Sequence, residues 1–301
     1  FLCWQNLFQM AHKAGFVNLI GRPNVGKSTL MNKLVGERLS IINKKAQTTR
    51  HRILGIVNDE DYQIVYSDTP GILEPKYELQ SRMMTFVKDA LKDADVLVLI
   101  VDAKDKKADY FNFQKAIQGV KAPLFIALNK IDLINQDQLD ERLEQLQKDH
   151  HPKEIFPISA LNDFGIDQLQ RKIVEYLPDN PPYFDKDALT DRNMRFFVSE
   201  IIRERILENY QKEIPYSVQI EVESYKEEEE IVRISTVIYV ERKTQKGIII
   251  GHRGAAIKKV GIEARKRIEE FIEKQVFLEM YVKVDQDWRT KERRLKAFGY
   301  K

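Results

Sequence analysis

The chain carries a single cysteine, Cys3, in 301 residues. An intrachain disulfide framework is therefore excluded, and a reducing compartment fits. No apolar run approaches the roughly 18 residues that a membrane-spanning helix requires. The longest, VLVLIV at 96–101, has the length of a buried strand. No basic-then-apolar segment opens the chain as a secretory signal. The first nine residues, FLCWQNLFQ, do not begin with Met, and Met10 is a candidate start. Residues 1–13 are taken as an N-terminal extension, in part a leader or cloning remnant.

The apolar share, 43%, is ordinary for a globular core, and the length suggests two domains. Charge is unevenly placed. Residues 1–180 balance, residues 181–241 are acidic, and residues 242–301 hold 17 Lys and Arg against 8 Asp and Glu. Such a basic segment is either a solvated face or a surface for nucleic acid or anionic membrane.

In the front half, GFVNLI at 15–20 reads as a strand, GRPNVGKS at 21–28 as a glycine loop, and STLMNKLV as a helix ending at Gly36. Strand, loop and helix in that order form a phosphate cradle. Gly21, Arg22, Pro23, Asn24, Val25 and Gly26 form the wrap. Lys27 supplies charge for the β- and γ-phosphates, and Ser28, followed by Thr29, offers a hydroxyl to Mg²⁺. Further strands are expected at 62–67, 95–103, 123–129 and 154–159, with helices between them. This alternation implies a mostly parallel sheet with helices on both faces and ligands at the carboxyl ends of the strands.

Three more motifs fall at such ends. DTPG comprises Asp68, Thr69, Pro70 and Gly71; Asp68 is placed to hold Mg²⁺ through water, and the Gly71 N–H to reach a γ-phosphate. NKID comprises Asn129, Lys130, Ile131 and Asp132. The Asp132 carboxylate accepts two donors, which guanine has and adenine lacks, so adenine would leave it unpaired. SAL, residues Ser159, Ala160 and Leu161, offers a backbone N–H to guanine O6.

Together the four motifs resemble those of Ras-like GTPases over about residues 14–177, which implies binding of GTP and GDP with Mg²⁺. The resemblance implies that a Thr of QTTR in the first switch, Thr49 rather than Thr48, closes over the metal beside Ser28 and Asp68. It also exposes a departure. Ras-like proteins often place a water-orienting Gln just after the glycine of DTPG, where Ile72 stands here. Hydrolysis is then expected to be slow, with Asn24 and Thr49 the catalytic candidates. In related GTPases lacking that Gln, an Asn at the place of Asn24 helps hold K⁺; loop shaping is its other reading.

LPDNPPYFDKD at 177–187 reads as a stiff linker. Beyond it, Phe197, Ile201, Ile202 and Ile206 recur at helical spacing. Two alternating runs around the acidic turn KEEEE read as a hairpin, followed by a short helix, GHRG at 251–254, a helix with the stripe Ile257, Val260, Ala264, Ile268 and Phe271, and a strand at 277–284. That order resembles a type II KH domain over about residues 188–285, an α+β fold. Gly251 and Gly254 would admit an RNA backbone, with His252, Arg253, Lys258 and Lys259 as donors and Ile234 on the groove strand. In the tail, 286–301, Trp288, Phe298 and Tyr300 are expected to dock a short helix on the KH sheet, or to add RNA contact.

A Ras-like GTPase followed by a type II KH domain resembles the Era family. The resemblance implies a cytoplasmic monomer, peripheral at the inner membrane face, that binds the 3′ region of 16S rRNA and the small ribosomal subunit as a GTP-driven switch. Two alternatives are a membrane GTPase whose basic tail meets anionic lipid, and a protein-binding scaffold.

Overall fold

The computed structural model describes residues 12–45, 47–105, 117 and 119–300; Cys3, Met10 and the other residues of the first eleven lie outside the described residues. Among the described residues there are two sheets, one of six strands and one of three.

The first domain is laid out by its apolar strands. β1 (Lys13–Ile20) lies between β3 (Tyr62–Asp68) and β4 (Val96–Asp102), so that Val17 has Tyr66 on one side and Val96 on the other. β5 (Leu124–Asn129) and β6 (Glu154–Ile158) continue the sheet in parallel. β4 and β5 are nearly continuous hydrophobic runs because both faces of the sheet are covered. On one face lie α1 (Lys27–Val35) and α4 (Ile166–Tyr176). On the other lie α2 (Glu78–Lys92) and α3 (Gln136–His150). The sequence reading passed over one strand. β2 (Ile53–Asn58) adds to the edge antiparallel to β3. It directly follows the polar QTTRHR segment, and its short ILGIVN run contains Gly55, so no strand pattern stood out.

The second domain runs α5 (Met194–Asn209), α6 (Ile214–Ser217), β7 (Gln219–Glu227), β8 (Ile231–Val240), α7 (Lys243–Ile250), α8 (Ala255–Ile272) and β9 (Gln275–Val284). β8 is central, antiparallel to β7 and parallel to β9. Phe197, Ile201, Ile202 and Ile206 are buried along α5, as are Val260, Ala264 and Ile268 along α8. Asn193 caps α5 by accepting the Phe196 N–H at 3.0 Å.

The proline-rich connector is not a free spacer. Ala14 N–H donates to Pro178 O, Asn180 N–H to His12 O, and the Gln63 side chain meets the N–H groups of Tyr183 and Phe184. Thr190 Oγ1 then donates to Leu54 O at 2.7 Å, and Arg192 reaches Arg52 O. The tail forms α9 (Glu292–Ala297). Phe298 packs on Tyr239 of the KH sheet, as expected, but Trp288, Leu295 and Tyr300 are buried against Leu79, Met83 and Phe86 of α2. The tail thus wedges between the domains.

Candidate nucleotide cleft and candidate nucleic-acid interface

Because β1, β3, β5 and β6 are parallel, the loops after them meet at one edge of the sheet. They enclose a cleft of about 870 Å³ lined by the glycine loop, residues 41–45 and 47–49, Gly71, Asn129, Lys130, Asp132 and Ser159 to Leu161.

The glycine loop turns into α1 through Gly26, whose φ of 103° is a left-handed value that a side chain resists. A Cβ there would meet Asn129 Nδ2 at 2.2 Å. The first turn of α1 has no acidic residue, so its N–H groups face the cleft without a carboxylate competitor. Lys27 is 6% exposed, and its ammonium donates to Arg22 O at 2.9 Å and Gly21 O at 3.3 Å. Burial lowers its pKa to about 8, against the pull of Asp68. Arg22 points outward to Asp105 at 2.6 Å.

Three oxygens converge beside Lys27. Ser28 Oγ donates to Asp68 Oδ2 at 2.7 Å, Thr49 Oγ1 donates to the same atom at 3.1 Å, and the two hydroxyls lie 3.0 Å apart. Thr48 faces elsewhere, its hydroxyl donating to Lys45 O at 2.6 Å. Asp68 is fully buried, and burial raises its pKa above the usual carboxylate range, with Lys27, Ser28 and Thr49 opposing. Asp68 Oδ1 is buried and makes no hydrogen bond among the described residues, although Ser40 also acts on this carboxylate to oppose the rise in its pKa. A set of two hydroxyls and one carboxylate with an orphaned oxygen suits a hard cation that takes further ligands from phosphate. Among the described residues no group of three His, Cys, Asp or Glu offers an alternative metal centre.

At the other end of the cleft Asn129 is the tie. Its Nδ2 donates to Val25 O at 2.8 Å and its Oδ1 accepts the Ala160 N–H at 3.0 Å, joining the glycine loop to SAL. Lys130 stretches over the loop to Asn24 O at 2.8 Å and Asp102 at 2.6 Å. Asp132 accepts from Ser159 Oγ at 2.6 Å through one oxygen. Leu161 is 75% exposed at the rim, whereas Ile131 packs under the sheet. In the DTPG loop, Thr69 Oγ1 donates to Leu19 O at 2.9 Å, Pro70 is buried, and a Cβ on Gly71 would meet Pro23 N at 2.7 Å.

Ile72 turns away from the cleft. Its side chain joins the apolar cluster with Leu97 and Leu99, and its N–H donates to Gly21 O at 3.0 Å. Asn24, at φ 64°, donates its amide to Lys44 O at 2.8 Å, which links the glycine loop to the first switch.

The sequence reading missed that the second domain borders this cleft. Leu207 and Glu208 of α5 line it. Lys45 donates to Leu207 O and Tyr210 O, Arg38 pairs with Glu204 at 2.7 Å, and Glu204 also accepts the Ile42 N–H. Buried Arg50 donates to Val218 O at 2.7 Å and Pro215 O at 3.1 Å. Only the run of basic residues between 38 and 52 hinted at these partners.

The second glycine loop lies between α7 and α8. Gly251 has φ 71°, and a Cβ on it would meet Ala256 Cβ at 2.6 Å. Gly254, at φ 79°, caps α8, whose first turn has no acidic residue. His252, Arg253, Lys258 and Lys259 are all exposed there. Ile248, 49% exposed, stands on α7 three residues before Gly251. Ile234 corrects an expectation: it is 1% exposed, in the core beneath the helices, because its strand position faces inward.

Comparison with known proteins follows this division. Residues 16–130 match the family described as 50S ribosome-binding GTPase, and residues 213–289 match the KH domain family. GTPase Era of Alkaliphilus metalliredigens is 44% identical over 97% of this chain and 100% of its own length. GTPase Era of Staphylococcus haemolyticus is 44% identical over 96% of this chain and 97% of its own. The crystal structure of Era in complex with MgGDPNP and nucleotides 1506–1542 of 16S ribosomal RNA has a TM-score of 0.92 at 37% identity, covering 96% of this chain and 99% of that one. A variant of Era from Aquifex aeolicus bound to GDP and AlF4⁻ gives the same values. This chain, a Ras-like GTPase domain followed by a KH domain, belongs to the Era family of GTPases.

Proposed function

We propose that the chain is a GTP-driven switch that binds single-stranded RNA at the 3′ end of 16S rRNA during small-subunit assembly. The observation that carries this reading is its likeness, across nearly the full length of both chains, to an Era structure holding MgGDPNP and 16S rRNA nucleotides.

In this reading Lys27 swings from the loop carbonyls to the β- and γ-phosphates, which favour its ammonium form. Asp132 accepts the guanine N1–H and exocyclic amine, Asn129 holds the pocket walls together, and a backbone N–H of the SAL segment meets guanine O6. Ser28, Thr49 and Asp68 would hold Mg²⁺, which supplies charge neutralisation on the phosphate oxygens. Ile72 contributes no hydrogen bond to water, so intrinsic hydrolysis is slow. Asn24 is the candidate to help hold K⁺. Gly251 to Gly254 clamp an RNA backbone, and Lys258 and Lys259 meet flanking phosphates. The tail has less support as a lipid anchor, since Trp288, Leu295 and Tyr300 are buried between the domains.

Fluorescence anisotropy with a labelled fragment of the 16S 3′ region tests this. Tighter binding with a GTP analogue than with GDP is expected, together with preference over a scrambled RNA. Equal binding of both RNAs in both nucleotide states would sink the proposal.

A further inference from the structure

Among the contacts between the second domain and the first switch is a buried guanidinium supplied by the second domain. Arg203 lies within α5, is 2% exposed, and donates from Nη2 to the main-chain carbonyl of Thr48. Glu200, one turn earlier and 6% exposed, aims it: Arg203 Nε donates to Glu200 Oε1 at 2.8 Å, and Nη2 also meets Oε2. The pair stands on a helix, whereas its acceptor belongs to a loop. The peptide unit that carries the Thr48 carbonyl also carries the Thr49 nitrogen, and it is planar, so fixing one end orients the other. Thr49 is the residue whose hydroxyl faces Ser28 at 3.0 Å and Asp68 at 3.1 Å.

We infer that Arg203, from the KH domain, is a positioning residue for the GTP-bound state: it holds the Thr48–Thr49 peptide so that Thr49 faces Ser28 and Asp68, and the second domain thereby helps retain GTP over GDP. The inference rests on the reading of Thr49 as the metal-facing residue. Arg203 itself is not among the residues that line the cleft. Burying an Arg–Glu pair costs desolvation that apolar residues would avoid, so stability alone is a weak reason for it. A lysine retains the charge but not the planar fork that serves Glu200 and Thr48 together. By linkage, the factor by which α5 strengthens GTP retention equals the factor by which GTP strengthens the hold on α5.

The test is release of fluorescent GTP analogue and GDP from the full chain at varied Mg²⁺. Arg203→Lys should release the GTP analogue about five- to ten-fold faster and need more Mg²⁺ to slow it, with GDP release changed less than about two-fold. Glu200→Gln should move the same way by less, and it carries the test alone if a thermal melt finds Arg203→Lys unfolded. Unchanged GTP-analogue release in the folded variants, or equal acceleration for GTP analogue and GDP, overturns the inference. Thr49→Ala separates the two readings. If it leaves GTP-analogue release unchanged, the metal-facing role of Thr49 fails; if it responds while Arg203→Lys does not, only the inference fails.

Discussion

The ring of Tyr300 stacks on that of His51, with centroids 4.4 Å apart and planes at 22°. The tail thus rests, through Tyr300, on the residue two places after Thr49. Phe86 and Phe196 complete the cage around His51, each at 5.7 Å. Burial first, then Arg192, Arg203 and Arg50, hold the His51 pKa well below the ordinary value. In the unfolded chain it protonates near about 6.5. Between that value and the lower folded one the unfolded state binds more protons, so this contribution is present above about 6.5 and is lost as pH falls. The melting temperature should drop between about pH 7 and 5, and His51→Phe should flatten the drop. An equal drop in parent and variant would remove His51 as the cause.

Asp132→Asn should weaken GTP and favour xanthosine triphosphate. The amide presents a donor to guanine N1–H but suits the 2-oxo group of xanthine. Losing charge-assisted bonds should cost about 1.5–3 kcal/mol. A nucleotide competition assay that finds no change in preference excludes Asp132 as the guanine reader.

The Lys27 pKa of about 8 predicts proton uptake on GTP binding above that pH, because the phosphates favour the ammonium form. Calorimetry in two buffers of different ionisation enthalpy reads this directly. Uptake should grow from about pH 7.5 to 9. No dependence on buffer at pH 9 contradicts it.

Turnover should be slow, and slower in Na⁺ than in K⁺ if Asn24 helps hold the cation. Asn24→Ala should erase the difference between salts. Equal turnover of the parent in both salts rejects the potassium role but leaves the GTPase intact.

Replacing His252 and Arg253 with Asp should abolish RNA binding and leave GTP affinity unchanged. For the parent, log affinity should fall with log salt by about 0.7 per phosphate neutralised, and Lys258→Ala should make the slope shallower by about one contact. Retained RNA binding in the folded double variant would reduce GHRG to a turn. Ile234→Ala, by contrast, deletes core volume. It should lower stability by about 2–5 kcal/mol, read by denaturant unfolding, rather than change which RNA is preferred.

Strand ends, both glycine loops and the helical stripes were legible because each is a local pattern: a buried run, a turn chemistry, a 3.6-residue period. β2 was not, since ILGIVN is short and mixed. Thr49 was separable from Thr48 only through a family resemblance; in the fold, the Thr48 hydroxyl bonds within its own loop and Thr49 does not. The junction was the least legible part. Arg50, Arg203, Lys45 and Trp288 each look like ordinary residues of their segments, and their partners lie far along the chain. Ile234 misled because alternation says which residues share a face, not which face is covered.

The connector between the domains leaves no slack. Thr190 is bonded to Leu54, Arg192 to Arg52, and Asn193 already caps α5. These bonds tether the start of the second domain to the start of β2 of the first. Contact between α5 and the first switch is consequently a first-order event, at a local concentration that a separate partner would not reach. Dilution of the protein leaves it unchanged, whereas severing the backbone near residue 193 would convert it into a bimolecular association governed by how much of each half is present.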